Sequence, residues 1–267
     1  MELAGGRGTT FVREVAGPPG APVVVLLHGL TAVADLNWFP VFDALGAEFG
    51  VLSVEHRGYA RGPVLAGRCR LEDLADDVVA VADTLGLDRF VPVGYSMGGA
   101  VAQLVWRRHP GRVEGLVLGG TCSRFPVSAR ERFQSRMLPM AVAAARVAPS
   151  VAAHFVGSTL RARFAGSPYA PWAVAELARH RPATMLAWAA ALSRFSSQAW
   201  IGGVDVPTAV VVTSRDVLVP TDRQLSLAAA IPGARVVDVD GDHGVFITGQ
   251  VAFTAALVEA CRLVTSG

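Results

Sequence analysis

The segment Gly94-Tyr95-Ser96-Met97-Gly98 carries the clearest chemical content in this sequence. A serine with a glycine two residues to either side suits a nucleophile held on a sharp turn, because the glycines let a strand and a helix approach closely there. A serine hydroxyl is a weak nucleophile at neutral pH. It needs a base beside it, and the base needs a third group to fix its tautomer. For such an elbow the partners are expected downstream, acid first and histidine second. Asp216 stands just beyond the apolar run Thr208–Val212, and Asp222 follows as the next candidate acid. His243 sits between Asp242 and Gly244, past the run Arg235–Val239. Ser96, Asp216 and His243 are therefore the expected catalytic set. The other five histidines read as structural: His28 ends a strand and braces its loop, His56 belongs to a turn, His109 closes a helix, and His154 and His180 lie in a helical stretch.

Attack on a carbonyl develops negative charge on oxygen, which backbone N–H groups can stabilise. One donor is expected from Met97, next to the nucleophile, and the other from Leu30 in the loop His28-Gly29-Leu30-Thr31. Tyr95, Trp38 and Met137 are the candidate substrate-binding side chains. Trp38 and Phe39 either line the mouth of a pocket or simply fill the core. Likewise Met137, Met140, Phe155, Trp172, Trp188 and Trp200 either roof an acyl chain or pack the helices that carry them.

These groups need a scaffold that presents strand ends side by side. Strand-length apolar runs at Val23–Leu27, Val51–Val54, Phe90–Val93, Val113–Leu118, Thr208–Val212 and Arg235–Val239 alternate with helical patterns. Leu71–Leu85, Met97–His109 and the stretch from Gln250 to Val264 have helical spacing. That alternation is the signature of a mostly parallel sheet with helices on both faces. In such sheets active sites lie beyond the carboxyl ends of the strands, where Ser96, Asp216 and His243 are expected. Residues 123–202 break the rhythm. They are rich in Ala and Arg, lack strand-like runs and carry Pro139, Pro149, Pro171 and Pro182, so they read as a helical insertion. Residues 1–122 and 203–267 then form the core domain.

Composition closes off other chemistries. Just over half of the residues are hydrophobic and 17% are charged, with a formal net charge of +2 and no basic run, which argues against nucleic acid as a partner. All 24 basic residues are arginine, so no lysine nucleophile or Schiff base is available. Cys69, Cys122 and Cys261 are scattered and lack metal-ligand spacing, pointing to thiols in a reducing, cytoplasmic setting with no metal site. No apolar stretch has the length of a membrane span, and Met1–Gly20 does not read as a signal peptide.

Taken together, H-G-L-T at His28–Thr31, H-R-G-Y at His56–Tyr59, G-Y-S-M-G-G at Gly94–Gly99, S-R-D-V-L-V-P at Ser214–Pro220 and G-D-H at Gly241–His243 resemble the α/β-hydrolase superfamily. The resemblance is strongest to its small esterase and cofactor-free haloperoxidase-like branch. It implies an eight-stranded, mostly parallel sheet, a helical cap formed by residues 123–202, a small-molecule acyl substrate, no cofactor and a possible homodimer. The expected activity is hydrolysis of a carboxylic ester through an acyl-enzyme. The alternatives are a triad-bearing C–C bond hydrolase, thioesterase or acyltransferase, and a non-catalytic small-molecule receptor on the same fold.

Overall fold

The computed structural model of the protein describes residues 1–30, 32–126, 128–163, 167–179 and 181–266. Seven strands form one sheet: β1 (Val12–Val15), β2 (Val23–Leu27), β3 (Gly50–Val54), β4 (Val91–Tyr95), β5 (Leu116–Gly119), β6 (Thr208–Thr213) and β7 (Arg235–Val239). Their spatial order is β1-β3-β2-β4-β5-β6-β7. Only β1 runs antiparallel, against β3; every other neighbouring pair is parallel. The implied eighth strand is not found among the described residues. The strand that the apolar pattern did not announce is β1, whose Val-Arg-Glu-Val sequence is half-exposed at the sheet edge.

Period-two alternation sends successive side chains of each strand to opposite faces, and both faces are covered. Val25 and Leu27 of β2 join Leu74, Val78, Val101 and Val105, which belong to α3 (Leu71–Thr84) and α4 (Met97–Arg108). Val24 and Leu26 point the other way, into a second cluster with Leu36, Leu45, Phe253 and Leu257. Those residues lie on α1 (Ala34–Trp38), α2 (Phe42–Gly46) and a long C-terminal helix, Gln250–Thr265. The central strands thus end in a buried layer, and their carboxyl ends open on one edge of it.

Between β5 and β6 the chain forms α5 (Ala129–Val147), α6 (Pro149–Arg163), α7 (Ala170–Ala178) and α8 (Pro182–Leu192). A capping box starts α5: Ser128 Oγ accepts the Glu131 amide at 3.1 Å, and the Glu131 carboxylate accepts the Ser128 amide at 2.9 Å. Arg223, on α9 (Thr221–Ala230), ties this start to the core. It donates to Phe125 O at 2.9 Å and to the Glu131 carboxylate at 2.9 Å. Helix α8 docks the segment, with Trp188 fully buried and its indole N–H donating to Arg57 O at 3.1 Å. Met137, Met140 and Phe155 do not roof the site. They stand on the solvent side of α5 and α6, at 41%, 65% and 72% exposure. Trp172 packs edge-on against Phe39, and Trp200 stacks on Trp106. Among the described residues no single helix is long and apolar enough to cross a membrane. A short helix, α10 (Val245–Thr248), precedes the C-terminal helix, α11 (Gln250–Thr265).

The tightest backbone approach lies where β4 turns into α4. A β-carbon on Gly98 would stand 1.9 Å from Leu27 O, and one on Gly94 would stand 2.2 Å from Gly98 O. Neither neighbour is a flexible side chain, so neither can yield cheaply. Gly98→Ala is expected to cost about 3 kcal/mol of stability, at the upper end for overpacking. Gly111→Ala, where nothing lies within 4 Å, is expected to stay within about 0.5 kcal/mol of the parent. Urea denaturation of the two variants measures the contrast; similar midpoints would contradict this reading of the turn.

Candidate active site

Ser96 occupies the turn itself, with φ 56° and ψ −117°. It is the one non-glycine residue with positive φ among those described, a conformation that costs energy and persists only where the surroundings enforce it. Three hydrogen bonds do so. The Ser96 amide donates to Gly119 O at 2.9 Å, while Ser96 O accepts from the Thr121 hydroxyl at 2.8 Å and the Gly99 amide at 3.0 Å. The side chain is left at the mouth of the β4–α4 junction, 7% exposed.

His243 and Asp216 come to it from the ends of β7 and β6. His243 Nε2 lies 2.9 Å from Ser96 Oγ, and His243 Nδ1 lies 2.6 Å from Asp216 Oδ2. With Nδ1–H donating to the carboxylate, Nε2 is free to accept the serine proton. The loop carrying His243 is held by Tyr95, whose hydroxyl donates to His243 O at 3.1 Å. Asp216 is buried and saturated with donors: the Leu218 and Val219 amides bond Oδ1 at 2.9 Å, and the Thr213 hydroxyl bonds Oδ2 at 2.9 Å. Burial pushes this carboxyl upward, but the His243 hydrogen bond and charge, with the Val219 and Thr213 donors, outweigh it and hold Asp216 below the ordinary aspartate value. Asp222 lies exposed in the first turn of α9 and takes no part.

The loop after β2 is fixed as firmly. His28 Nδ1 lies 2.9 Å from Gly29 O, and His28 Nε2 accepts the His56 amide at 3.1 Å. Because C=O and N–H point in opposite directions across a trans peptide, gripping Gly29 O turns the Leu30 N–H the other way. The Tyr59 hydroxyl donates to Leu30 O at 2.8 Å, and burial pushes this phenol well above its ordinary value, so it stays a donor. Neither the Leu30 nor the Met97 amide has an acceptor among the described residues. Thr31 and His180 lie outside those residues.

A cavity of about 200 Å³ opens at Ser96 and His243, walled by Leu30, Phe125, Leu192 and Phe246. Tyr95 contributes to its lining, but Trp38 and Met137 do not. Trp38 is fully buried on the far side of α1 and stacks on Phe253, so its aromatic mass serves the core. Met137 projects outward from α5. A more open groove of about 660 Å³ between α2 and α11 contains none of the three reactive side chains. Asn37, Thr213 and Gln224 stand in no motif, and Tyr59 entered only as the last residue of H-R-G-Y, with no role given; their roles come from their bonds to Gly29, Asp216 and Leu30. Burial pushes the Cys69 and Cys122 thiols up to about 11, so neither competes as a nucleophile. Among the described residues, no three His, Cys, Asp or Glu side chains are placed to hold a metal ion.

Comparison with known proteins identifies the family. The family described as alpha/beta hydrolase fold matches residues 22–250. This chain belongs to that family and is a hydrolase. It is similar to a putative carbamate hydrolase, RutD, of Caulobacter vibrioides, at 30% identity over 92% of this chain and 93% of that protein. Among solved structures it is similar to a thermophilic esterase from Thermogutta terrifontis, with a TM-score of 0.83, 24% identity, and 99% and 97% of the two chains covered. It is similar too to the enol-lactonase of Burkholderia xenovorans LB400, with a TM-score of 0.80, 24% identity, and 94% and 96% covered.

The buried His28–His56 pair has a consequence for stability. Burial and the neighbouring His28 hold His56 well below the ordinary histidine value of 6.5. The folded protein keeps it neutral, whereas the unfolded chain takes up a proton near pH 6.5. Stability from this group is therefore whole above that pH and is lost as pH falls below it, with a slope of about 1.4 kcal/mol per pH unit for one proton. Urea unfolding between pH 7.5 and 5.5 is expected to show that loss, flattened in His56→Gln; an equal slope in both proteins would contradict it.

Proposed function

We propose that this hydrolase cleaves small carboxylic esters through an acyl-enzyme formed on Ser96. The observation that carries the reading is the continuous relay from Ser96 Oγ through His243 to Asp216, at 2.9 and 2.6 Å, inside a cavity. Ser96 attacks the ester carbonyl while His243 Nε2 takes its proton. Asp216 keeps the imidazole oriented and stabilises the imidazolium without itself becoming protonated. The Leu30 and Met97 amides, both without an acceptor among the described residues, stabilise the tetrahedral oxyanion. His243 then gives the proton to the leaving alkoxide, the alcohol departs, and water attacks the acyl-enzyme with His243 as base, regenerating Ser96.

Residues 123–202 serve as the cap in this reading, with Phe125 and Leu192 closing on the acyl group. At about 200 Å³ the cavity falls below the usual 300–1,000 Å³ of drug-sized sites, which favours short acyl chains. A second reading, cleavage of a carbamate, draws on the similarity to putative carbamate hydrolases across nearly the full length of both chains. It keeps the same nucleophile and base, and a carbamate carbonyl is small enough for the cavity.

Ser96→Ala is expected to lower kcat/KM on p-nitrophenyl acetate by at least about 10³-fold, and Asp216→Asn, which leaves the wrong imidazole tautomer, by about 10⁴-fold. Steady-state assays on a panel of C2–C8 esters and matched N-alkyl carbamates measure both effects and rank the two readings. Turnover of every ester unchanged in Ser96→Ala would overturn the nucleophile assignment.

A further inference from the structure

We propose that Asn37 is a specificity-determining residue whose side-chain N–H group recognises an oxygen on the acyl part of the substrate, so that the enzyme prefers oxygenated short acyl groups over plain alkyl ones. This rests on the assignment of the Ser96 cavity as the acyl site. Asn37 is fully buried on α1, directly below the loop after β2. Its Oδ1 accepts the Gly29 amide at 2.9 Å, which fixes which end of the side-chain amide is oxygen and which is nitrogen. The Nδ2 end is buried and has no hydrogen-bond partner among the described residues.

Five buried side-chain polar atoms lack a partner among the described residues. The other four belong to Trp38, Ser53, Glu55 and His56, none of which lines the Ser96 cavity; Asn37 does. Its closeness to the nucleophile follows from Gly29: a β-carbon placed there would meet Ser96 Cβ at 3.3 Å and Asn37 Oδ1 at 3.6 Å. Only a glycine backbone separates the two side chains.

Bracing the Gly29 amide uses Oδ1 alone. Asn37 shares the cavity with the apolar side chains of Leu30, Phe125, Leu192, Leu218 and Phe246 and with Tyr95, Ser96 and His243, none of which is a hydrogen-bond partner of its N–H group. Native proteins seldom leave a buried donor unmatched, and in a binding cavity the missing acceptor is naturally the ligand's. The donor is neutral, so it selects an ether or keto oxygen without requiring a charged substrate. A site built to bond a substrate oxygen rejects the analogue lacking it, because the buried group is then left unpaired.

Two measurements test this. The first is the ratio of kcat/KM for p-nitrophenyl methoxyacetate to that for p-nitrophenyl butanoate, which differ by one oxygen in place of a methylene. Comparing this ratio between proteins cancels both the intrinsic reactivity of the esters and any general loss from a disturbed loop. Asn37→Asp retains an acceptor for Gly29, and Asn37→Leu retains the volume; in each, the ratio is expected to fall about tenfold from the parent value. Rates that drop equally for both esters would overturn the proposal, leaving Asn37 as a loop brace. The second needs neither an altered Asn37 nor turnover. In ¹⁵N-labelled Ser96→Ala protein, the Asn37 side-chain amide pair is expected to shift with methyl methoxyacetate and not with methyl butanoate. Identical responses to both would overturn it, whatever the fate of the acyl-enzyme reading.

Discussion

The left-handed backbone at Ser96 is the constraint on which the rest of the structure depends. A serine at φ 56° is strained, and it stays there because β4 and α4 meet with no room for any other path. Gly94 and Gly98 make that junction possible, and the Gly119, Thr121 and Gly99 hydrogen bonds close it. The hydroxyl is thereby aimed beyond the sheet edge, toward the loops that end β2, β6 and β7. Relaxing this turn by a single residue would leave Asp216 and His243 paired with each other and facing nothing.

Around that fixed point the supporting groups are polar, buried and paired, which suits a site whose geometry must not wander. Asp216 is held by two amides, a hydroxyl and the imidazole. Tyr95 anchors the histidine loop, while His28 and Tyr59 hold the two carbonyls that flank Leu30. The walls of the cavity are largely apolar by contrast, so in the proposed reaction the charge developing near Ser96 would meet few groups other than oriented backbone dipoles. The helices between β5 and β6 supply part of those walls, and the Arg223 contacts join the start of α5 to the element that follows the Asp216 loop.

Much of the scaffold was legible from the chain alone because buried parallel strands are dense apolar runs bounded by turns. Six of the seven strands announced themselves in that way; β1 did not, since an edge strand with Arg13 and Glu14 alternating between valines carries no such run. Ser96, Asp216 and His243 could be singled out because each follows a strand end directly. What the sequence concealed was direction. Aromatic and sulfur-bearing residues signal burial without naming the neighbour, so Trp38 turned out to pack on Phe253, and Met137 to face solvent. Asn37 and Gln224 were invisible for a related reason, and Tyr59, though part of H-R-G-Y, disclosed no role: each acts on a partner that only folding brings near.

The central claim is that a covalent acyl group forms on Ser96 and that His243 drives both its formation and its removal. Intact-mass analysis of the parent protein, acid-quenched during turnover of p-nitrophenyl acetate and followed by peptide mapping, tests it directly. The parent is expected to carry an acetyl adduct on the peptide containing Ser96, and His243→Ala, which lacks the base for both steps, to carry far less. An acetyl adduct on another residue, or none after release of p-nitrophenol has been measured, would contradict the account.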